Sequence, residues 1–175
     1  NTGAEAVAKA PPDGHTLLVS TNGPIAIDQL LHTDLPYDPM RDLAPVALLV
    51  RAPQILVVGN AFPADDFKSF IGHAKRNPGK ISYGSVGGSV GHLAMEDLKA
   101  KFGVEIVHVP YRDFRTAVED LLAGRIQAMF AMGNSVLPQL ESGKMKGLAI
   151  TSAERWPAAP NLPTLAELGY AGAES

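Results

Sequence analysis

The amino-acid sequence predicts an α/β fold in which parallel strands are flanked by helices. Short apolar runs alternate with helix-forming segments along most of the chain, and the connections between them are only a few residues long. Those connections are punctuated by Gly, Pro, Asn and Asp. The composition is that of an ordinary folded domain, with 46% hydrophobic and 19% charged residues and a net charge of −3. At 175 residues the chain can bury a core without metal or disulfide staples.

In order along the chain, Gly3–Lys9 reads as a helix tail, stopped by the turn run Pro11-Pro12-Asp13-Gly14. Thr16–Val19 is a short continuous apolar run of the kind that forms a strand buried on both faces. Ser20-Thr21-Asn22-Gly23-Pro24 makes a polar loop at its carboxyl end, and Ile25–Leu31 resumes as a short helix. Leu35–Pro39 is an extended connector. Two β-type runs follow, Ala44–Val50 and Gln54–Val58, with no helix between them. That break in rhythm marks a crossing between two lobes.

Asp65–Arg76 is an amphipathic helix with Phe67, Phe70, Ile71 and Ala74 on one face, closed by Asn77-Pro78-Gly79. Ile81–Ser85 is a strand, Val86–Ser89 a glycine loop and Gly91–Phe102 a helix. The alternation continues with strand Glu105–Val109, helix Arg115–Leu122, strand Ile126–Ala131, helix Ser135–Glu141 and strand Gly147–Thr151. Thr164–Leu168 reads as a last helical turn closed by Gly169. The domain expectation is a partial first lobe over 1–49, a second lobe over 50–155 and a return segment towards the first lobe over 156–175. Both ends look cut, as in a fragment or a processed form.

Several function classes are excluded by residue type. With no cysteine there is no thiol nucleophile, disulfide, iron–sulfur cluster or cysteine zinc site. The five histidines form no H-x-H or HExxH pair, so neither a metal centre nor another cofactor is expected. A mildly acidic chain without a Lys/Arg run argues against nucleic acid as a partner. The most apolar stretch, Leu43 to Phe62, is broken by Pro45, Arg51, Pro53, Gln54 and Asn60, so no direct membrane insertion is expected.

The most informative segment is Gly84-Ser85-Val86-Gly87-Gly88-Ser89-Val90-Gly91-His92, which joins a strand to a helix. Its glycines let a backbone approach a ligand closely, and free N–H groups at the helix start favour an anion. Ser85, Gly87, Gly88, Ser89 and His92 are therefore candidate ligand-binding residues. The plain alternative is a flexible loop with Ser89 as a capping serine. Three more polar loops stand at strand ends: Ser20-Thr21-Asn22, Tyr111-Arg112-Asp113 and Met132-Gly133-Asn134. Arg112 could pair with a carboxylate. Gly87-Gly88-Ser89-Val90-Gly91 also satisfies the G-x-S-x-G nucleophile elbow, which keeps a serine hydrolase as the alternative. The only histidines after Ser89 are His92 on the same helix and His108 inside a strand. Polar strand-end loops with no evident nucleophile–base pair describe a binding cleft better than a catalytic one.

Six strings occur in register: Pro12-Asp13-Gly14-His15-Thr16-Leu17-Leu18; Leu35-Pro36-Tyr37-Asp38-Pro39 with Asp42-Leu43-Ala44-Pro45-Val46; Asn77-Pro78-Gly79-Lys80-Ile81-Ser82-Tyr83; Val107-His108-Val109-Pro110-Tyr111; Leu148-Ala149-Ile150-Thr151-Ser152-Ala153; and Pro163-Thr164-Leu165-Ala166-Glu167-Leu168-Gly169. Together they resemble the Bug-type extracytoplasmic solute receptors of tripartite tricarboxylate transporters. The resemblance implies a type II periplasmic binding protein fold, two α/β lobes closing over a small ligand, of which this chain holds one complete lobe and part of the other. It implies a periplasmic, non-enzymatic receptor that passes a small organic acid to membrane permease subunits. The family's opening strand and first glycine-rich loop would precede Asn1, so weak binding and self-association of this 175-residue form are expected. Pro110-Tyr111-Arg112-Asp113 stands where the family has Pro-Tyr-Lys-Gly, and Ala131 where an Asp often stands. These departures favour a simple carboxylate or an aromatic acid over an amino acid.

Overall fold

The computed structural model describes residues 1–170. The last five residues of the expected return segment, 171–175, lie outside the described residues. The chain divides into two compact units, one formed by Asn1–Val50 with Gly88–Val90, the other by Arg51–Gly87 with the described residues from Gly91 onward.

The first unit is built from short helices: α1 (Thr2–Ala8), a π-helical turn Gly23–Ile27 running into α2 (Asp28–Leu31), and α3 (Pro39–Asp42). Pro39 opens α3 at its first position, and the Asp38 carboxylate caps it by accepting from the amides of Met40 and Arg41. The Tyr37 hydroxyl donates to the Pro24 carbonyl at 2.7 Å and ties α3 to the π turn. Two expectations fail here. Thr16–Val19 and Ala44–Val50 are not strands, and neither joins a ladder among the described residues. Apart from the half-buried Leu18 their side chains are open to solvent, with Val19 79% and Val46 84% exposed. Strand structure lives in cross-strand pairing, so an apolar run without a paired neighbour does not adopt it.

The second unit carries a five-stranded sheet with strand order β3-β2-β4-β1-β5. Its elements in chain order are β1 (Gln54–Gly59), α4 (Phe67–Arg76), β2 (Ile81–Val86), α5 (Val90–Phe102), β3 (Ile106–Tyr111), α6 (Phe114–Leu122), β4 (Ala128–Met132), α7 (Gly133–Glu141) and β5 (Met145–Ile150). The sheet is mixed rather than parallel throughout: β2 runs parallel to β3 and β4, while β1 is antiparallel to both β4 and β5. Strand–helix alternation places helices between strands without setting each strand's direction. The long connection from β1 through α4 to β2 permits either.

Strand alternation divides the core cleanly. Leu56 and Val58 of β1, with Ala128 and Phe130 of β4, face α4 and α5, where Phe70, Ala74, Met95 and Leu98 are fully buried. Ile55 and Val57, with Met129 and Ala131, face the opposite side and pack on Ala117, Leu121 and Val136 of α6 and α7. The sheet is thus covered on both faces. Pro110 is tolerated inside β3 because β3 is an edge strand.

After β5 the chain stays on this unit: Trp156 and Leu162 pack on the second cluster, and Thr164 bridges Ile150 in parallel. The expected last helical turn at Thr164–Leu168 is present as a hydrogen-bonded turn, with the Leu168 amide donating to the Thr164 carbonyl at 3.3 Å. Thr164 and Glu167 exchange capping-type bonds, but Gly169 at φ +83° ends the segment before a second turn forms.

Candidate functional site

Strand β2 presents Ile81, Tyr83 and Ser85 on the face covered by α5, and Tyr83 pairs in register with His108 of β3. The two-residue period therefore brings Tyr83, Ser85 and His108 to one face. From α5 the stripe His92, Glu96 and Lys99, spaced i, i+4 and i+7, lies beside the buried face Gly91, Met95 and Leu98.

These six side chains form one connected array. The Ser85 hydroxyl and His108 Nε2 are 2.8 Å apart. The His92 and His108 rings stack with centroids 4.3 Å apart, and the Tyr83 ring stacks on His108 at 4.8 Å. The Tyr83 hydroxyl donates to Glu96 Oε1 at 2.5 Å. Lys99 Nζ donates to both Glu96 oxygens at 2.7 and 2.9 Å and stands 5.6 Å from the Tyr83 ring centroid. Ser85 is only 5% exposed.

The electrostatics follow from this packing. Burial acts to raise the Glu96 carboxyl, but the bonds from Lys99 and Tyr83 outweigh it and hold the group below the usual range. Burial and the adjacent Glu96 push the Tyr83 phenol far up, so it stays a donor. Burial, followed by the facing His92, lowers the His108 imidazole, while the Ser85 main-chain carbonyl acts to keep a proton on it. The one lysine in the array is neutralised internally by Glu96. The array therefore presents no free lysine ammonium.

Beyond Ser85, β2 ends at Val86, and Gly87-Gly88 make the turn into α5. Gly88 takes φ +73°, the left-handed region that favours glycine. Ser89 stands immediately before α5, the position of a capping serine, beyond the turn rather than at the strand tip. The Ser–His pair described above thus uses Ser85, inside β2, and not the elbow serine. At Gly91 α5 approaches β4 closely: a Cβ there would lie 2.7 Å from the Phe130 carbonyl oxygen.

The remaining sequence candidates are placed as follows. Ser20, Thr21 and Asn22 lie in the first unit and are exposed, the Ser20 hydroxyl bonding the Thr21 carbonyl at 3.3 Å. The Tyr111 hydroxyl donates to Asp120 Oδ2 at 2.7 Å, turned towards α6, and burial and Asp120 push that phenol up to about 12. Arg112 is exposed, and Asp113 caps α6 by accepting from the Thr116 amide at 2.8 Å. Asn134 is exposed on the first turn of α7. Sequence reading gave Tyr83, Glu96 and Lys99 no role in a site, and treated His108, inside a strand and too near Ser89 along the chain, as a poor base for it. The signals that could have found them are Y-x-S on one strand and H-x₃-E-x₂-K on the next helix.

Two cavities of roughly 500 Å³ open at the other end of the sheet, one beside Met145, Gly147 and Leu162, the other beside Gly59, Ile81 and Gln127. Neither holds a group of this array. Among the described residues no three His, Asp or Glu side chains are grouped to hold a metal, and no helix is long and apolar enough to cross a membrane.

A helix-flanked mixed sheet with a glycine–serine turn at one strand end is one lobe of an α/β fold. The chain belongs to the tripartite tricarboxylate transporter family receptor family, whose profile matches residues 2–175. It is 35% identical over 170 residues to protein BugT of Bordetella pertussis (strain Tohama I), covering 96% of this chain and 52% of that protein. Among solved structures it is similar to R. palustris Rpa4515 with adipate, at TM-score 0.92 and 37% identity over 99% of this chain and 58% of that one. It also matches MatC (Rpa3494) from Rhodopseudomonas palustris with bound malate, at TM-score 0.87 and 31% identity, covering 99% of this chain and 60% of that one. The fold is that of a periplasmic binding protein, and the chain spans about half the length of the curated relatives it matches.

Proposed function

We propose that this chain is part of a periplasmic receptor that captures a small organic carboxylate and hands it, unaltered, to the membrane permease of a tripartite transporter. The observation that carries the reading is Ser85. It is a nearly buried strand-end hydroxyl beside a Gly-Gly turn that opens onto the N-terminus of α5, and the lysine of the array, Lys99, is bonded to Glu96. Such a site holds an anion by main-chain amides and hydroxyls, each charge-assisted bond contributing about 1.5–3 kcal/mol. The adipate and malate in the titles of two similar structures support a carboxylate of a few carbons as the ligand class.

The test is calorimetry on the intact gene product against mono-, di- and aromatic carboxylates, adipate and malate included. Saturable binding of at least one acid, weakened in Ser85→Ala with Ser89→Ala, is expected. An unchanged dissociation constant in the double variant would place the carboxylate elsewhere. A second reading, ester hydrolysis, is favoured by one distance, the 2.8 Å between Ser85 and His108. The Glu96 carboxylate is bonded to Tyr83 and Lys99, so it does not serve as the third member of a triad. Ester turnover that vanishes in Ser85→Ala would establish the hydrolase instead.

A further inference from the structure

We propose that His108 is a positioning residue that fixes the direction of the Ser85 hydroxyl: its Nε2–H donates to Ser85 Oγ, which leaves the Ser85 O–H free to donate to a bound carboxylate. This deepens the reading above and rests on it for the identity of the ligand. A hydroxyl is both donor and acceptor, so its partner decides which role it presents outward. If His108 Nε2 were bare, Ser85 would spend its proton on the imidazole and present lone pairs to the cleft, and a carboxylate would be repelled. If Nε2 carries the proton, Ser85 receives one bond from behind and gives one forward.

The second arrangement is the one a carboxylate ligand requires, and the surroundings fix the charge and the plane of the ring. The groups facing the His108 ring are Tyr83 and Ser85 from β2 and His92, Glu96 and Lys99 from α5. The Ser85 main-chain carbonyl acts to keep a proton on the imidazole, while burial and the His92 ring stacked at 4.3 Å oppose a second one. The imidazole is therefore held neutral with one proton, and the 2.8 Å contact places Nε2 against Ser85. Stacking on Tyr83 at 4.8 Å and on His92 fixes the ring plane, and Tyr83 is itself anchored to Glu96. Tautomer, not charge, is the variable.

Two readouts test this. The first needs no ligand: long-range ¹H–¹⁵N correlation of the imidazoles at neutral pH should show His108 protonated at Nε2. A proton on Nδ1 with Nε2 bare would overturn the proposal. The second is a cycle in acid binding, with adipate and malate as probes. His108→Phe keeps a ring in the stack but removes the donor, and His108→Gln restores an N–H near the Nε2 position. The expectation is that His108→Phe and Ser85→Ala each weaken binding about tenfold, the double variant no further, and His108→Gln recovers most of the loss. Losses that multiply, near a hundredfold in the double variant, would show that His108 does not act through Ser85 and would overturn the assignment. If the parent binds no acid in the panel, the proposed function fails, while the tautomer still decides the positioning role.

Discussion

Two glycine-to-alanine substitutions in neighbouring helices should move stability in opposite directions. At Gly91 an added Cβ would lie 2.7 Å from the Phe130 carbonyl oxygen and 3.4 Å from its Cβ. Ordinary contact begins near 3.4 Å, so α5 and β4 must separate by about 0.7 Å. The obstructing atom is main chain, in a strand paired to β1 by a register that includes Leu56↔Phe130, so it does not yield easily. Overpacking of this kind costs roughly 1–3 kcal/mol. Gly91 is the second residue of α5, where alanine recovers only part of its usual advantage of about 1 kcal/mol. A net loss of about 1–2 kcal/mol results. At Gly72, in the middle of α4, the added Cβ meets only Arg76 Nη1 at 3.3 Å, the mobile end of an exposed side chain. There helix propensity wins, and Gly72→Ala should stabilise by about 0.5–1 kcal/mol. Urea unfolding followed by far-ultraviolet circular dichroism measures both, with midpoints displaced to either side of the parent. Gly91→Ala at or above the parent midpoint would refute the close-approach argument, and equal shifts of one sign would refute the comparison.

Two further substitutions test the elements that frame the site. Asp66 caps α4 in a reciprocal box with Ser69, so Asp66→Ala should lower stability by about 1 kcal/mol in urea titrations at pH 7. The bonds from Ser69 hold the Asp66 carboxyl below its usual range. Its contribution is therefore full above the unfolded value near pH 4 and disappears as pH falls through the lower folded value, and the difference between parent and variant should shrink on acidification. Tyr83→Phe keeps the stacked ring but removes the bond to Glu96, which retains Lys99. A loss of about 1–2 kcal/mol by the same assay is expected, and no loss would show that the 2.5 Å bond contributes nothing to folding.

The second unit was legible because its signals are local. The four residues assigned to the buried face of α4, Phe67, Phe70, Ile71 and Ala74, are those the helix buries, since a 3.6-residue period needs no knowledge of the partner. Strands β2 to β5 were found within a residue or two for the same reason. The failures are all non-local. Thr16–Val19 and Ala44–Val50 have strand composition, but strand structure is conferred by a neighbour, and neither run is paired among the described residues. The reversed direction of β1 leaves no trace in its own residues, because an apolar strand buried on both faces has the same pattern in either direction.

The same division runs through the candidate site and bears on what kind of site it is. The turn at Gly87-Gly88 announces itself, since only backbone approach or a left-handed conformation calls for that pairing. The array behind it does not, because Tyr83, His108 and Glu96 meet only through the β2–β3 register and the placement of α5. Had Lys99 pointed into the turn, the sequence would have offered an obvious cation for a carboxylate, and the site would have been expected to bind tightly and indiscriminately. Its ammonium is instead bonded to both oxygens of Glu96, so the charge is cancelled within the array and only oriented, neutral donors remain. Neutral donors reward a ligand for geometry more than for charge. On the proposed reading, a receptor that must release its cargo to a permease gains from that arrangement: a slight displacement of the acid breaks the directional bonds to Ser85 and the α5 amides, whereas a buried cation would hold the acid through any orientation.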